Sequence, residues 1–241
     1  MAVARSITFL CNGVSLADAL TSVGVQAEQE ELDATVLANT YRSYEAGFKS
    51  GMINAEGLFD HDGTDVDEIH NVFSTAYNAG STNQVTYSLG TLAVGGDAVM
   101  LNGCEMSYDV QIPLGQLITV AAQFKAINGI GFGKWLASVQ LNAGTTNGTA
   151  VDNTAATTNG GIFQVHLHND TATDCDFKVQ HSTDNSVWAD LTGAAVNNLS
   201  AAHTSGYAEV ALGTTVNRYI RLVSVITGGN TTLVSAAFTR R

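Results

Sequence analysis

The sequence predicts a mainly β protein: a first unit of antiparallel strands (sandwich or barrel) with one helix, then a second antiparallel β-sandwich. Three observations carry this expectation. Gly is frequent (24), Pro almost absent (1), and Thr, Val, Asn and Ala are plentiful, a composition suited to strands joined by Gly/Asn turns. Period-two alternation recurs, clearest where Met106, Tyr108, Val110 and Ile112 alternate with Glu105, Ser107, Asp109 and Gln111. Helical periodicity is strong in one segment only, 66–79.

Taken in order, residues 1–27 read as an arm or first strand starting at Ser6, a turn at Asn12 and Gly13, and a small-residue segment carrying Val23 and Val25. Residues 28–60 read as strand, connection and strand. An acidic segment turns apolar from Leu32 to Val36, a polar and aromatic connection follows through Tyr41, Arg42 and Tyr44, and Gly47 and Gly51 read as breaks. Ile53, Ala55, Gly57 and Phe59 then alternate with Asn54, Glu56 and Asp60. Asp65 with Glu68 suggests a helix cap, and Val66, Ile69, Val72, Phe73, Ala76 and Tyr77 recur at helical spacing up to Gly80.

A strand near 84–89, a glycine-flanked connection over 90–96 and a strand from Ala98 lead into the alternating pair. The turn at 113–115 sends the chain back through Ile118, Val120, Ala122 and Phe124, so a hairpin with one buried face is expected. The Gly-rich stretch 127–133 (INGIGFG) coincides with a change in charge density and reads as a boundary between units 1–128 and 129–241. Beyond Trp135, the Thr/Asn/Gly/Ala stretch 142–161 reads as a long exposed loop. Phe163, Val165 and Leu167 alternate with Gln164, His166 and His168, and Phe177 and Val179 with Lys178 and Gln180. Further strands are expected around Trp188 and at 208–212, 218–226 and 233–238, spacing that describes an antiparallel sandwich.

The net charge of −12 is uneven: residues 1–128 hold four basic and 15 acidic groups, residues 129–241 six and seven. Such a chain repels phosphate rather than gripping nucleic acid. Cys11, Cys104 and Cys175 are far apart with no CxxC spacing, so buried free thiols are expected instead of disulfides or a thiolate metal site. The N-terminal apolar run is too interrupted for a signal peptide and no segment approaches a membrane span, which reads as a chain kept in a cytoplasm with no membrane partner. The Asn-x-Thr/Ser triplets at Asn147, Asn169, Asn198 and Asn230 then follow from composition.

Asp60, Asp62, Asp65, Asp67 and Glu68 invite a calcium reading, but Thr64 and Asp65 stand where a cation loop needs a ligand and a glycine, and an acidic capping loop is the simpler expectation. His166 and His168 share a strand face on which His181 or Asp170 could complete a metal site; with Gln164 on that face, solvated histidines are expected. Nothing like GxSxG marks a nucleophile, and the glycines at 129–133 match neither a phosphate loop nor a dinucleotide fingerprint. No catalytic residue, metal or cofactor is expected. Trp188 reads as core before sugar platform, and Arg218 and Arg221 as surface partners of their sheet.

The stretch LDATVLANTYRSYEAGFKSGMINAEGLFD resembles the tail tube (major tail) proteins of long-tailed, non-contractile bacteriophages. There a strand ends in Asp-x-Thr, a connection carries a basic residue and an aromatic into a glycine, and a strand ends in Gly-x-Phe/Tyr-Asp. Asp33, Thr35, Tyr41, Arg42, Gly47, Gly57, Phe59 and Asp60 occupy those places, and the resemblance spans about residues 25–126. The carboxyl-terminal part resembles β-sandwiches appended in phage tail proteins, through VQHSTDNSVWADL, NRYIRLVSVITGG and AAFTRR.

The resemblance implies rings, typically hexameric, stacked into a hollow virion tail tube built in the host cytoplasm, with the second unit outside. Implied partners are its own copies, a tape-measure protein and tail terminator and tip proteins, while genomic DNA passes without specific binding. Expected interface residues are Leu37, Asn39, Tyr41, Arg42, Tyr44, Phe48 and Lys49. Glu28, Glu30, Glu56, Glu105 and Asp109 are expected to line an acidic lumen from which DNA is repelled. A non-catalytic carbohydrate-binding or adhesin module, and the inner tube of a contractile injection apparatus, are the alternatives.

Overall fold

The computed structural model describes residues 8–38, 40–60, 65–88, 90, 92–169, 173–228 and 232–241. Expectations touching Ser6, Asn39, Asp62, Thr64, Leu89, Asp170 and Asn230 lie outside those residues. The described chain forms β1 (Phe9–Cys11), β2 (Val14–Ser15), β3 (Leu20–Asp33), β4 (Tyr44–Leu58), α1 (Ile69–Ala79), β5 (Asn83–Ser88), β6 (Asp97–Gln111) and β7 (Thr119–Leu141). It continues with β8 (Gly144–Asn147), β9 (Val151–Asp152), β10 (Gly161–Asn169), β11 (Asp174–Ser182), β12 (Ala189–Leu199), β13 (Thr204–Val210), β14 (Tyr219–Thr227) and β15 (Thr232–Arg240). The protein is mainly β with antiparallel sheets and one described helix, as the composition predicts.

Ten strands form one sheet in the order β13-β10-β15-β7-β6-β5-β1-β2, with β4 also on β7 and β3 on β4. Its spine is β7, 23 residues long. Along one edge β7 pairs with β6; along the other, residues 119–125 pair with β4 and residues 134–141 with β15. Residues 127–133, where the glycines suggest a boundary, are therefore strand. Two of the three glycines answer close approach instead: a Cβ at Gly133 would lie 2.3 Å from the Phe238 carbonyl oxygen, and one at Gly131 2.6 Å from the Thr239 side chain, whereas Gly129 takes φ 79° in open space.

The β13-β10-β15-β7 end of this sheet stacks on a five-stranded sheet, β12-β11-β14-β8 with β9 on β14, around Phe163, Leu167, Phe177, Val179, Leu222 and Phe238. Residues 142–161 thus contribute two edge strands instead of a bare loop. Backbone bonds to β14 hold them and only Val151 turns into the core, which leaves no alternation for the sequence to display.

At the other end, α1 lays Ile69, Val72, Phe73 and Ala76 over Phe9, Val85, Val99 and Phe124. The Phe73 and Phe124 rings meet edge-on at 5.8 Å. The helix begins three residues later than its periodicity suggests, since Glu68 is the N-cap in extended backbone with no side-chain cap bond; Gly80 closes it with φ 57°. The 105–112 strand also departs from expectation. A bulge between Glu105 and Ser107 shifts its phase, so Glu105 turns inward while Met106, Val110 and Ile112 are exposed.

The large sheet curls until β10 faces β5 and the β1–β2 turn, and side chains rather than ladder bonds join the two faces. Gln164 and His166, expected in solvent, are fully buried there. The Gly13 N–H donates to His166 Nδ1 (3.1 Å), so the imidazole proton sits on Nε2 and is donated to Thr86 Oγ1 (2.8 Å), which donates to Gln164 Oε1 (2.7 Å). Gln164 Nε2 completes the seam on the Leu101 carbonyl (2.9 Å). Burial pushes the His166 pKa down to about 3, so it stays neutral. The apolar part of the gap holds Leu10, Ala98, Met100, Trp135 and Ala237. Thr86→Val strands both the His166 N–H and the Gln164 carbonyl, and urea unfolding should register a loss of about 1–3 kcal/mol.

Candidate functional site

Between residues 125 and 134 of β7 the partner on one edge changes. β4 is the partner up to Met52↔Lys125 and β15 from Phe238↔Lys134. Past Met52 the β3–β4 pair leaves the sheet and continues alone to Asp33↔Tyr44. Seven residues of β3 lie in this free ribbon, a span of roughly 23 Å at ~3.3 Å per residue. Gly47 and Gly51, expected as breaks, are strand residues whose missing side chains admit Glu30 and Ile130 respectively.

The connection at the ribbon's end is stapled by the residues that carry the family resemblance. Asp33 accepts the Thr35 N–H (2.9 Å), Thr35 Oγ1 accepts the Ser43 N–H (2.9 Å), and the Ala34 N–H donates to the Ser43 carbonyl (2.9 Å). Bonds from Thr35 hold the Asp33 carboxyl below the usual carboxylate range. Arg42 reaches the Tyr44 hydroxyl at 3.4 Å. Around this staple Leu32, Val36, Leu37, Tyr41, Tyr44 and Phe48 are all exposed, Tyr41 to 84% and Phe48 to 87%. Of the expected interface residues, Leu37, Tyr41, Arg42, Tyr44, Phe48 and Lys49 therefore share one protrusion. Leu32 and Val36 are exposed with them; their apolar run looks like a strand core in sequence, because nothing local shows that it extends beyond the sheet.

The acidic candidates fall in three places. Ladder partners across β3, β4, β7 and β6 put Ser22, Glu56, Ala121 and Asp109 in one row and Gly24, Asn54, Gln123 and Ser107 in the next. Val23, Ile53, Ala55, Val120 and Ala122 point the opposite way into the core. Glu28, Glu56 and Asp109 thus lie on one polar sheet face, with Lys125 the basic residue among them, and all four are exposed. Glu30 lies over Gly47 on the ribbon. Glu105 is turned inward, 7% exposed, with neither carboxylate oxygen hydrogen-bonded, and desolvation pushes its pKa up to about 8. It presents no charge to an outer surface.

Elsewhere the polar groups of residues 129–241 serve the fold. Arg221 lies 4.3 Å over the Trp188 ring and gives two N–H bonds to Gln180, so that ring face is occupied by the protein's own guanidinium. Trp188 is half-buried at the surface; the core tryptophan is Trp135. Arg218 pairs bidentately with Asp152, which holds that carboxyl at about 2. His168 bonds Ser235 and His181 accepts the Asn217 N–H. Cys11 and Cys175 are buried and Cys104 is half-buried, and none of the three is in a disulfide. Among the described residues no three His, Cys, Asp or Glu side chains form a metal-ligating group.

No protein-family model matches the sequence, and no curated protein matches it. Among solved structures, it is similar to a chain in the virion of the native gene transfer agent particle, at 14% identity over 55% of this chain and 98% of that one (TM-score 0.45). It is similar to the SPP1 tail tube protein at 12% identity, over 54% and 77% of the two chains (TM-score 0.44). The SPP1 Dit protein, described as a hub adsorption apparatus in phages infecting Gram-positive hosts, is similar over 96% of this chain and 98% of its own at 12% identity (TM-score 0.37).

Glu105 gives a pH prediction with a definite sign. Its folded pKa of about 8 lies above the ordinary 4.5, so the folded state holds the proton that the unfolded state has released throughout that window. The Glu105 contribution to stability should therefore fall as pH rises from about 4.5 to about 8; neutral His166, whose pKa is lowered, works in the opposite sense up to about 6.5, so the fall shows in the total between about 6.5 and about 8. Glu105→Gln should remove that slope in denaturation midpoints measured across the window.

Proposed function

We propose that this chain is a virion structural protein that assembles as stacked rings into a phage tail tube, without enzymatic activity. The observation that carries the reading is the free β3–β4 ribbon. An isolated two-stranded ribbon is marginal in water, and this one ends in six exposed large apolar side chains. A partner that covers them is the simplest way for it to persist. The resemblance of residues 25–126 to non-contractile tail tube proteins names that partner as further copies of the chain.

The tube places the remaining features. The outer edge of β3 is unpaired among the described residues and can extend its sheet onto a neighbour. The polar face carrying Glu28, Glu56 and Asp109 suits a lumen through which DNA slides without sticking. Residues 129–241 lie to the outside, while tape-measure, terminator and tip proteins meet the tube at its channel and ends. The same ring logic serves the inner tube of a contractile apparatus, and a sheath around the assembled tube separates the two.

Negative-stain microscopy of the purified chain, or of particles containing it, should show tubes or ring stacks. Tyr41→Ala with Arg42→Glu should abolish them while circular dichroism still reports a folded subunit. Normal tubes from that double variant would make the connection a solvated loop and sink its role in assembly.

A further inference from the structure

A second surface matches the ribbon tip in chemistry. Where β4 has left the edge of β7 and β15 has not yet taken it, the side chain of Phe132 is 57% exposed between two crevices. One, of about 460 Å³, runs from Lys134 and Arg240 to residues 153–157; the other, of about 500 Å³, runs from Ile130 and Arg240 to the base of the ribbon at Glu28 and Lys49. Four of the ten Lys and Arg of this acidic chain, Lys49, Lys134, Arg240 and Arg241, line these crevices. Lys134 and Arg241 are paired with Asp97 and Glu209. Arg240 instead donates to the backbone carbonyls of Ala155 and Asn153, and it forms no ion pair among the described residues. The ribbon tip has the opposite character: Glu30, Glu31, Asp33 and Glu45 surround Leu32, Tyr44 and Phe48.

We propose that the ribbon tip of one copy docks on the Phe132 crevices of the next copy. Its apolar side chains cover Phe132 and its carboxylates face Arg240 and Lys49. This rests on the ring-forming reading above and names the surface that receives the ribbon. A β-ribbon cannot bend its tip back onto its own base, so the occupant is another chain. Donor and acceptor are different patches of one molecule, so the contact is head-to-tail and either closes a ring or propagates. They are separated by the length of the free ribbon, roughly 23 Å, which sets the offset between successive copies.

The test uses the full chain at low ionic strength, read by sedimentation and negative stain. A tip variant, Tyr44→Ser with Phe48→Ser, and a crevice variant, Phe132→Ser with Arg240→Glu, should each raise the concentration for half-assembly by at least roughly tenfold. Mixed in equal amounts they should form a discrete two-chain species, because one intact tip meets one intact crevice and the contact cannot continue. Added salt should weaken wild-type assembly. If Arg240→Glu unfolds the 153–155 segment that Arg240 holds, Phe132→Ser with Lys49→Glu replaces it, with circular dichroism reporting the fold. A crevice variant that assembles like wild type, or a mixture that yields no two-chain species, overturns the docking site and leaves the ring-forming reading standing. A wild-type chain that stays monomeric at every concentration overturns both.

Discussion

One edge of β7 is paired with β6 over residues 119–134 and the other is divided between two strands, and that division shapes the molecule. A buried backbone N–H or carbonyl must find a partner, so a strand of 23 residues needs flanking strands on each side. β6 supplies one edge as far as Lys134, but the other is divided between β4 and β15, which come from opposite ends of the chain. The two hydrophobic cores are thereby built on one continuous backbone and not on beads joined by a linker. Where the division falls, β4 has no strand left to pair with except β3. The ribbon is the consequence, and the gap it leaves at residues 126–133 is where the crevices open.

The seam of Thr86, Gln164, His166 and the Gly13 N–H fixes how far the sheet curls. Its members lie on β5, β10 and the β1–β2 turn, far apart in sequence, and each bond satisfies a group that would otherwise be buried without a partner. A slip of β10 by one residue would put Val165 against Thr86 and drive Gln164 into the apolar core on the other face. The polar residues therefore select one register where an apolar filling of the same gap would tolerate several. Neutral His166 can act in this way because burial keeps its pKa near 3.

How much was legible in the sequence follows from how local each feature is. Alternation at 53–59 and 163–167, the helical stripe from Ile69 to Ala76 closed by Gly80 and the turn at Gly115 are set by neighbouring residues and stand in the structure, while Val66 and Tyr77 at the ends of the stripe are exposed. The glycines of 127–133 read as a break because a glycine's local meaning is a turn, whereas here Phe238 and Thr239, about a hundred residues later, crowd the strand. Gln164 and His166 read as solvated because the layer covering them is another part of their own sheet. One bulge moved Glu105 from the expected outer face into the core. Within the candidate site, the aromatic and basic residues of the connection were legible because they interrupt every regular pattern. The crevice around Phe132 was not, since it exists only where two distant strands exchange places.

The ribbon's charge also limits which contacts it can make. An exposed pair of strand edges is a template for any other edge, and unguarded it would promote random association. Glu28, Glu30, Glu31 and Asp33 on one strand and Glu45 on the other make two such ribbons repel when laid side by side, so a symmetric ribbon-to-ribbon contact is opposed by five like charges on each partner. The same carboxylates are attracted to a basic surface. In a chain of net charge −12, the Arg240 guanidinium, bonded to backbone carbonyls and in no ion pair among the described residues, lies beside an exposed phenylalanine, so the acidic and apolar requirements of the tip are met together there. Repulsion between like tips and attraction to an unlike surface favour the same directional, head-to-tail geometry.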